Sequence, residues 1–269
     1  MIELSTMSSV CPDWTLDEVL AGMKRHGYKG LEPRVEWEHK CGIEADLSAA
    51  ARAEVRDKVA GEGLEICCLA TSVRMATADE QARAGHVEDL RKYIDLAHDL
   101  GCPLIRTFGG RRSQEIQLAA VVEYVAEGYR QVVDQAADAG VTVLMETHDD
   151  WCCSASVRAV VETVDHPNVR ALWDIMHPQR MMEKPAETFL AIGELTRHLH
   201  AHDGSYIDGK MHTGPLGQGA IDHAEPLALL QEFGFSGYFS VEVIHAPGSD
   251  HDADGVLAQY AEGFRQIMS

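Results

Sequence analysis

A chain of 269 residues is long for an ordinary domain but of the usual size for one α/β barrel, and 45% apolar content is ample for a single large core. A net charge of −20 repels phosphate backbones. The one compact basic spot, Arg106 with Arg111 and Arg112, is too small to make a nucleic-acid groove, so no nucleic-acid partner is expected. No apolar run approaches the roughly 20 residues that cross a bilayer, so no membrane partner is expected either. The seven cysteines are odd in number and form no CxxC pair, which points to reduced thiols rather than a disulfide frame or a structural zinc site. The opening "MIELSTMSSVCPDW" lacks a basic stretch followed by a long apolar one, and a cytoplasmic location is expected.

Taken in chain order, short apolar runs alternate with helical patterns. "IELSTM" reads as the first strand. Thr15 with Glu18 three residues on is a capping-box signature for the first helix. "GLEPRV" is the second strand, followed by the helical "SAAARAEVRDKVAGEG", which stops at Gly61 and Gly63. "LEICCLAT" is the third, and "HVEDLRKYIDLAHDLG" then carries apolar residues at helical spacing as far as Gly101. "PLIRTFGG", "VTVLMETH", "VRALWDIMH", "RHLHAHD" and "YFSVEVIH" complete the strands. The helical patterns that follow them span 117–140, 154–164, 185–196, 221–233 and 253–268. Strict alternation of eight such pairs implies a parallel sheet with helices outside. Eight units in this length fit a closed (β/α)8 barrel, one domain over 1–269, better than an open doubly wound sheet. "GPLGQG" follows a polar loop rather than closing a βα turn, so no dinucleotide fingerprint is read there.

In such a barrel the chemistry sits at the C-terminal strand ends. The fifth strand ends in Glu146 and His148, the sixth in Asp174 and His177, the seventh carries His198, His200 and His202 on one face, and the eighth carries Glu242 between valines. A carboxylate in so apolar a setting needs a cation or a proton. Glu146, Asp174, His200 and Glu242, from four consecutive strands, form a mostly hard ligand set for one divalent metal. Mn2+ is the first choice, with Mg2+, Co2+ or Zn2+ as alternatives. His198 reads as a residue behind the site and His202 as either a substrate contact or part of the rim. The Cys152–Cys153 pair reads as packing.

These residues make the chain resemble the xylose-isomerase-like TIM barrels, the sugar phosphate isomerase/epimerase superfamily. The resemblance runs from "HGYKGLEPR" through "ETHDDW", "DIMHPQR" and "HLHAHD" to "GQGAID" and "GFSGYFSVEV". It implies that Glu146, Asp174, His200 and Glu242 bind the metal and that His177 contacts substrate. "GQGAID" is similar to the loop of inosose isomerases, and "ETH" resembles the dehydroshikimate dehydratases. Cys152 and Tyr206 stand where ketohexose 3-epimerases place a glutamate and an arginine, so a ketohexose 3-epimerase assignment does not carry over. Lys210, from the same loop as Tyr206, is a candidate replacement for that arginine.

The chemistry expected of such a site is isomerisation or epimerisation of a ketose, cyclitol or related α-hydroxyketone. The metal polarises the carbonyl, a carboxylate removes the neighbouring proton, and an enediolate forms. Glu146 and Glu242 are the expected proton-transfer groups, and His177, Arg106, Arg34, His202 and Lys210 the expected substrate contacts. Trp14, Trp37 and Trp151 either wall the pocket or pack. The alternative is a metal-dependent lyase of the dehydroshikimate- or inosose-dehydratase kind, which loses a β-hydroxyl after the same first step. A small-molecule sugar or cyclitol is the expected partner, and a homo-oligomer is compatible with the resemblance.

Overall fold

The computed structural model describes residues 1–269. β1 (Ile2–Met7) leads to α1 (Leu16–His26), and the capping box is formed there: Glu18 N donates to Thr15 Oγ1, and Thr15 N donates to Glu18 Oε2 at 2.7 Å. Gly27, at φ 85°, ends the helix in the left-handed conformation that glycine adopts without a Cβ clash. β2 (Gly30–Glu32), α2 (Ala49–Gly61), β3 (Glu65–Ile66), β4 (Leu69–Arg74) and α3 (Glu80–Leu100) follow. Next come β5 (Leu104–Phe108), α4 (Leu118–Arg130), α5 (Val133–Asp138), β6 (Thr142–Glu146), α6 (Ser154–Val164), β7 (Val169–Asp174), α7 (Met176–Arg180) and α8 (Pro185–Ile192). The last part comprises β8 (Thr196–Ala201), β9 (Asp203–Ile207), β10 (Lys210–Gly214), α9 (Ala224–Phe233), β11 (Gly237–Val241) and α10 (Ala253–Ile267).

Nine strands form one parallel sheet in the order β3-β2-β1-β11-β8-β7-β6-β5-β4. They amount to eight staves, because the expected third strand is two pieces. β3 pairs with β2 and β4 with β5, while Ala70 N donates to the Pro33 carbonyl and Val35 N to the Ala70 carbonyl, closing the circle. The fold is the (β/α)8 barrel read from the alternation. One continuous apolar core lies between sheet and helices. No helix is long and apolar enough to cross a membrane.

Several local readings need correction. The helix expected over 117–140 is interrupted at Gln131–Val132, where the Gln131 carbonyl accepts from Arg91 of α3, and Gln135 bonds back to the Arg91 carbonyl and to Asp95. The basic spot does not exist on the surface, since Arg106 is 1% exposed and faces the barrel interior. Cys153 is exposed and Cys152 half-buried, so this pair does not pack as core, and all seven cysteines are free thiols.

The polar loop ahead of "GPLGQG" is an antiparallel hairpin, β9–β10, turning on Asp208 and Gly209 at φ 49° and 74°. Asp-Gly is the preferred pair for such a turn. The buried Asp203 carboxylate at the hairpin base accepts backbone N–H groups from Gly204 (2.7 Å), Gly217 (2.8 Å), Gly219 (3.0 Å) and Ile221 (3.3 Å). It therefore holds the "GQGAID" loop against the barrel. A Cβ on Gly219 would lie 2.0 Å from Asp203 Oδ1, which restricts that position to glycine. Asp203→Ala leaves these donors without an acceptor and is expected to lower the free energy of urea unfolding by about 3 kcal/mol. A loss under about 0.5 kcal/mol contradicts this role.

Candidate metal centre

The parallel register sets neighbouring strand ends side by side. Asp174, the last residue of β7, pairs across from His200 of β8, and His200 also faces Ser240 of β11. Glu146 ends β6, and Glu242 lies one residue past β11, its N–H donating to the Ala201 carbonyl at 3.0 Å. One ligand atom from each of Glu146, Asp174, His200 and Glu242 falls within 4.8 Å of the others. Glu146, Asp174 and His200 are fully buried, and Glu242 is 5% exposed.

His200 is the centre of this group. Its Nδ1 lies 2.9 Å from Glu146 Oε1 and 3.1 Å from Glu242 Oε2, and its Nε2 lies 2.9 Å from Glu32 Oε1. Glu32, at the end of β2, was not anticipated as a site residue. It is fully buried, and its second oxygen accepts from Ser240 Oγ at 2.6 Å and lies 2.9 Å from His198 Nε2. His198 is thus behind the site, as its position on the strand suggested. Glu32 carries the signal that exposed Glu146, a carboxylate at a strand end, but in the strand "GLEPRV" only Arg34 was read as a site residue.

Asp174 Oδ1 accepts the N–H groups of Met176 (2.9 Å) and His177 (3.3 Å) at the start of α7. Its Oδ2 has no hydrogen bond, and neither have Glu146 Oε2 and Glu242 Oε2, all of them buried. Orphaned carboxylate oxygens converging beside an imidazole nitrogen fit a hard divalent cation. The nearest fixed cation is Arg106, whose Nε is 3.3 Å from Glu146 Oε2 and whose Nη2 is 3.9 Å from Glu242 Oε1.

The charges shift one another. Burial opposes the charged form of His200, but Glu32, Glu242 and Glu146 outweigh it and raise its pKa well above the usual range. Burial likewise pushes the Glu32 and Glu242 carboxyls up, and His200 more than offsets this in both, helped by His198 at Glu32 and by Arg106 at Glu242. Both carboxyls end below their ordinary values.

Of the expected substrate contacts, the structure brings His177 and His202 to the cavity, with Nε2 atoms 3.5 and 3.7 Å from Asp174 Oδ2. Arg106 is also there, but its guanidinium binds the two glutamates and donates to the Thr71 carbonyl at 2.6 Å. Arg34 is buried and donates to the Val35 and Ala70 carbonyls and to Ser72 Oγ. Lys210 lies exposed on β10 and forms no ion pair. Two of the three tryptophans pack, and Trp37 is exposed. Trp151 is buried with Nε1 donating to the Gly110 carbonyl, Trp14 lies against Gly22 of α1, and Trp37 stacks on the Arg34 guanidinium.

Residues 20–267 match the family model described as xylose isomerase-like TIM barrel. The chain belongs to this family. It is 24% identical over 243 residues to the Haemophilus influenzae protein named "Putative L-ribulose-5-phosphate 3-epimerase SgbU", covering 85% of this chain and 84% of that one. Its fold matches the solved structure of L-ribulose 3-epimerase with a TM-score of 0.82 at 19% identity, over 100% of this chain and 95% of that one. It matches the IOLI protein with a bound zinc atom at a TM-score of 0.81 and 19% identity, over 99% and 98%. The "probable 3-DHS dehydratase AsbF" of Bacillus anthracis matches at 0.80 and 16% identity, over 98% and 99%. The proteins it is similar to thus include ones named as epimerases and one named as a probable dehydratase.

The raised His200 pKa sets a pH dependence for the metal-free protein. A group whose folded pKa exceeds its unfolded value of about 6.5 contributes its full stabilisation below that pH and loses it as pH rises toward the folded value. The urea midpoint of metal-free protein is therefore expected to fall above pH 6.5, by up to about 1.4 kcal/mol per pH unit in free energy. His200→Gln should flatten the profile; an equal slope in wild type and variant contradicts the assignment.

Proposed function

We propose that the protein is a divalent-metal-dependent isomerase or epimerase acting on a ketose, a cyclitol or a related α-hydroxyketone by proton transfer through an enediolate. The observation that supports this reading is the convergence of Glu146, Asp174, His200 and Glu242, in which Asp174 Oδ2 has no hydrogen bond and the free oxygens of Glu146 and Glu242 have ion-pair contacts with Arg106 and His200 in place of hydrogen bonds. The bound ion, Mn2+ first among the candidates, supplies the Lewis acidity that makes a C–H bond beside a carbonyl acidic. Glu146 and Glu242 belong to staves separated by β7 and β8 in the sheet, so they approach a substrate from different directions. One removes the proton and the other returns it, to the opposite face of the same carbon in an epimerase or to the adjacent carbon in an isomerase. Arg106 lies between them, and with His200 it favours the ionised form of Glu242. Glu32 Oε1 accepts the Nε2–H of His200, which turns Nδ1 toward the other carboxylates as the ligand atom. His177 and His202 hold substrate oxygens.

Proton removal followed by loss of a β-hydroxyl would instead make the enzyme a dehydratase, so the test must follow both hydrogen and water. With Mn2+ in D2O and a panel of ketoses and inososes, deuterium is expected to enter the substrate without loss of water. Glu146→Gln and Glu242→Gln are each expected to slow that exchange by about 10^2- to 10^4-fold. Full exchange in either variant contradicts the proton-transfer roles. Glu32→Gln is expected to weaken Mn2+ binding, measured by calorimetry, by about 10- to 100-fold. Unchanged affinity would mean that Glu32 does not orient His200.

A further inference from the structure

Barrels of this architecture that bind phosphate hold it on the loops after the seventh and eighth staves and at an adjoining helix N-terminus, where backbone N–H groups point at the anion. In this chain those donors are taken, largely by the chain's own carboxylates. Every N–H from Leu216 to Ile221, in the loop between β10 and α9, has an internal acceptor. Leu216 donates to Gln259 Oε1 at 2.9 Å, Gln218 to the Pro215 carbonyl and Ala220 to the Gly204 carbonyl. Gly217, Gly219 and Ile221 donate to the Asp203 carboxylate. Asp203 is buried, and the loop lies so close over it that Gly219 has no room for a Cβ. A phosphate is larger and of the same sign, and enters this cradle only by expelling the carboxylate.

The neighbouring donors follow the same pattern. At the start of α9, Ala224 N and Glu225 N donate to Asp222 Oδ1 at 2.9 and 3.1 Å. At the start of α10, Gly255 N donates to Asp252 Oδ1 at 2.9 Å, and in the loop before it Gly248 N donates to Asp13 Oδ2 at 2.7 Å. From Asp203 to Asp252 the chain holds one lysine, Lys210 on the exposed hairpin, and no arginine. The buried guanidiniums are committed as well, Arg106 to Glu146, Glu242 and the Thr71 carbonyl, and Arg34 to the Val35 and Ala70 carbonyls and Ser72 Oγ. Arg74, with Cζ 5.9 Å from the Phe108 ring centroid, and Arg180, with Nη1 3.1 Å from His177 Nδ1, are exposed, where an ion pair contributes little. We propose that the substrate is a neutral, unphosphorylated ketose or cyclitol, and that Asp203, Asp222 and Asp252 keep sugar phosphates out by filling the anion-binding positions of the barrel. This rests on the reading of the cavity as an α-hydroxyketone site and narrows it.

The backbone amides report on this in the full-length, 15N-labelled chain, kept metal-free so that inorganic phosphate has no ion to bind. The Gly217, Gly219 and Ala224 resonances are expected to stay in place up to about 10 mM phosphate. Saturable shifts of these amides overturn the proposal. Asp203→Ser removes the charge from the cradle, and in that variant phosphate is expected to move the Gly217 and Gly219 signals. A folded variant that ignores phosphate shows that Asp203 is not the group that excludes the anion, and overturns the proposal as well. If the variant does not fold, the wild-type titration and the ligand pair below decide.

Calorimetry of Mn2+-loaded protein then compares erythrulose with erythrulose 4-phosphate, which share the hydroxyketone and differ at the far end. The ester is expected to bind at least about tenfold more weakly. An ester that binds as tightly as erythrulose, or more tightly, overturns the proposal, and loss of that binding in Arg74→Gln or Arg180→Gln would place the phosphate on one of these exposed guanidiniums. Failure of both compounds to bind contradicts the hydroxyketone reading instead, while the amide titration still decides this one.

Discussion

The structure is organised around a buried excess of negative charge. Glu32, Glu146, Asp174 and Glu242 lie at one end of the barrel, essentially out of contact with water, and the groups facing them are the Arg106 guanidinium and the imidazoles of His200 and His198. Removing each carboxylate from water costs several kcal/mol, and one neighbouring arginine does not offset four of them. Such a cluster persists where a further cation shares it, or where a proton takes that place, as the raised pKa of His200 shows for the metal-free chain.

The barrel makes this arrangement cheap to build and hard to disturb. Parallel pairing puts the ends of successive staves next to one another, so residues far apart in the chain meet without any special loop. The Asp174–His200 and His200–Ser240 register pairs are examples. Supporting bonds then fix each group. Thr147 Oγ1 accepts from Asp174 N at 3.0 Å, the α7 N-terminus binds Asp174 Oδ1, and Glu32 fixes the far side of His200. Asp174 and His200 thus each have one polar edge tied to the scaffold and another facing the remaining ligand groups.

Much of this was legible in the sequence because it follows from periodicity and burial. Alternating apolar runs and capped helices sufficed for the barrel, and a lone carboxylate among valines or after Val-Leu-Met sufficed for Glu242 and Glu146. What was not legible depended on contacts between distant segments. Glu32 owes its burial to the closure of β2 on β4 and its pairing with β1. Arg106 and Arg34 read as substrate contacts from their places on the staves; not legible was that their guanidinium groups also meet Glu146 and Glu242 in one case and backbone carbonyls in the other. The β9–β10 hairpin was different: its Asp-Gly turn stood in the sequence, hidden by strands too polar and exposed to read as strands. The break between α4 and α5 depends on Arg91 and Gln135, side chains of two different helices, and no single-segment pattern carries it.

The central claim is that four side chains from neighbouring staves share one dication. Crystals grown with Mn2+ and measured at its absorption edge test it directly. The account predicts a single anomalous peak within bonding distance of Glu146, Asp174, His200 Nδ1 and Glu242. A map with no peak there, or with the ion held by Asp174, His177 and His202 instead, would contradict it.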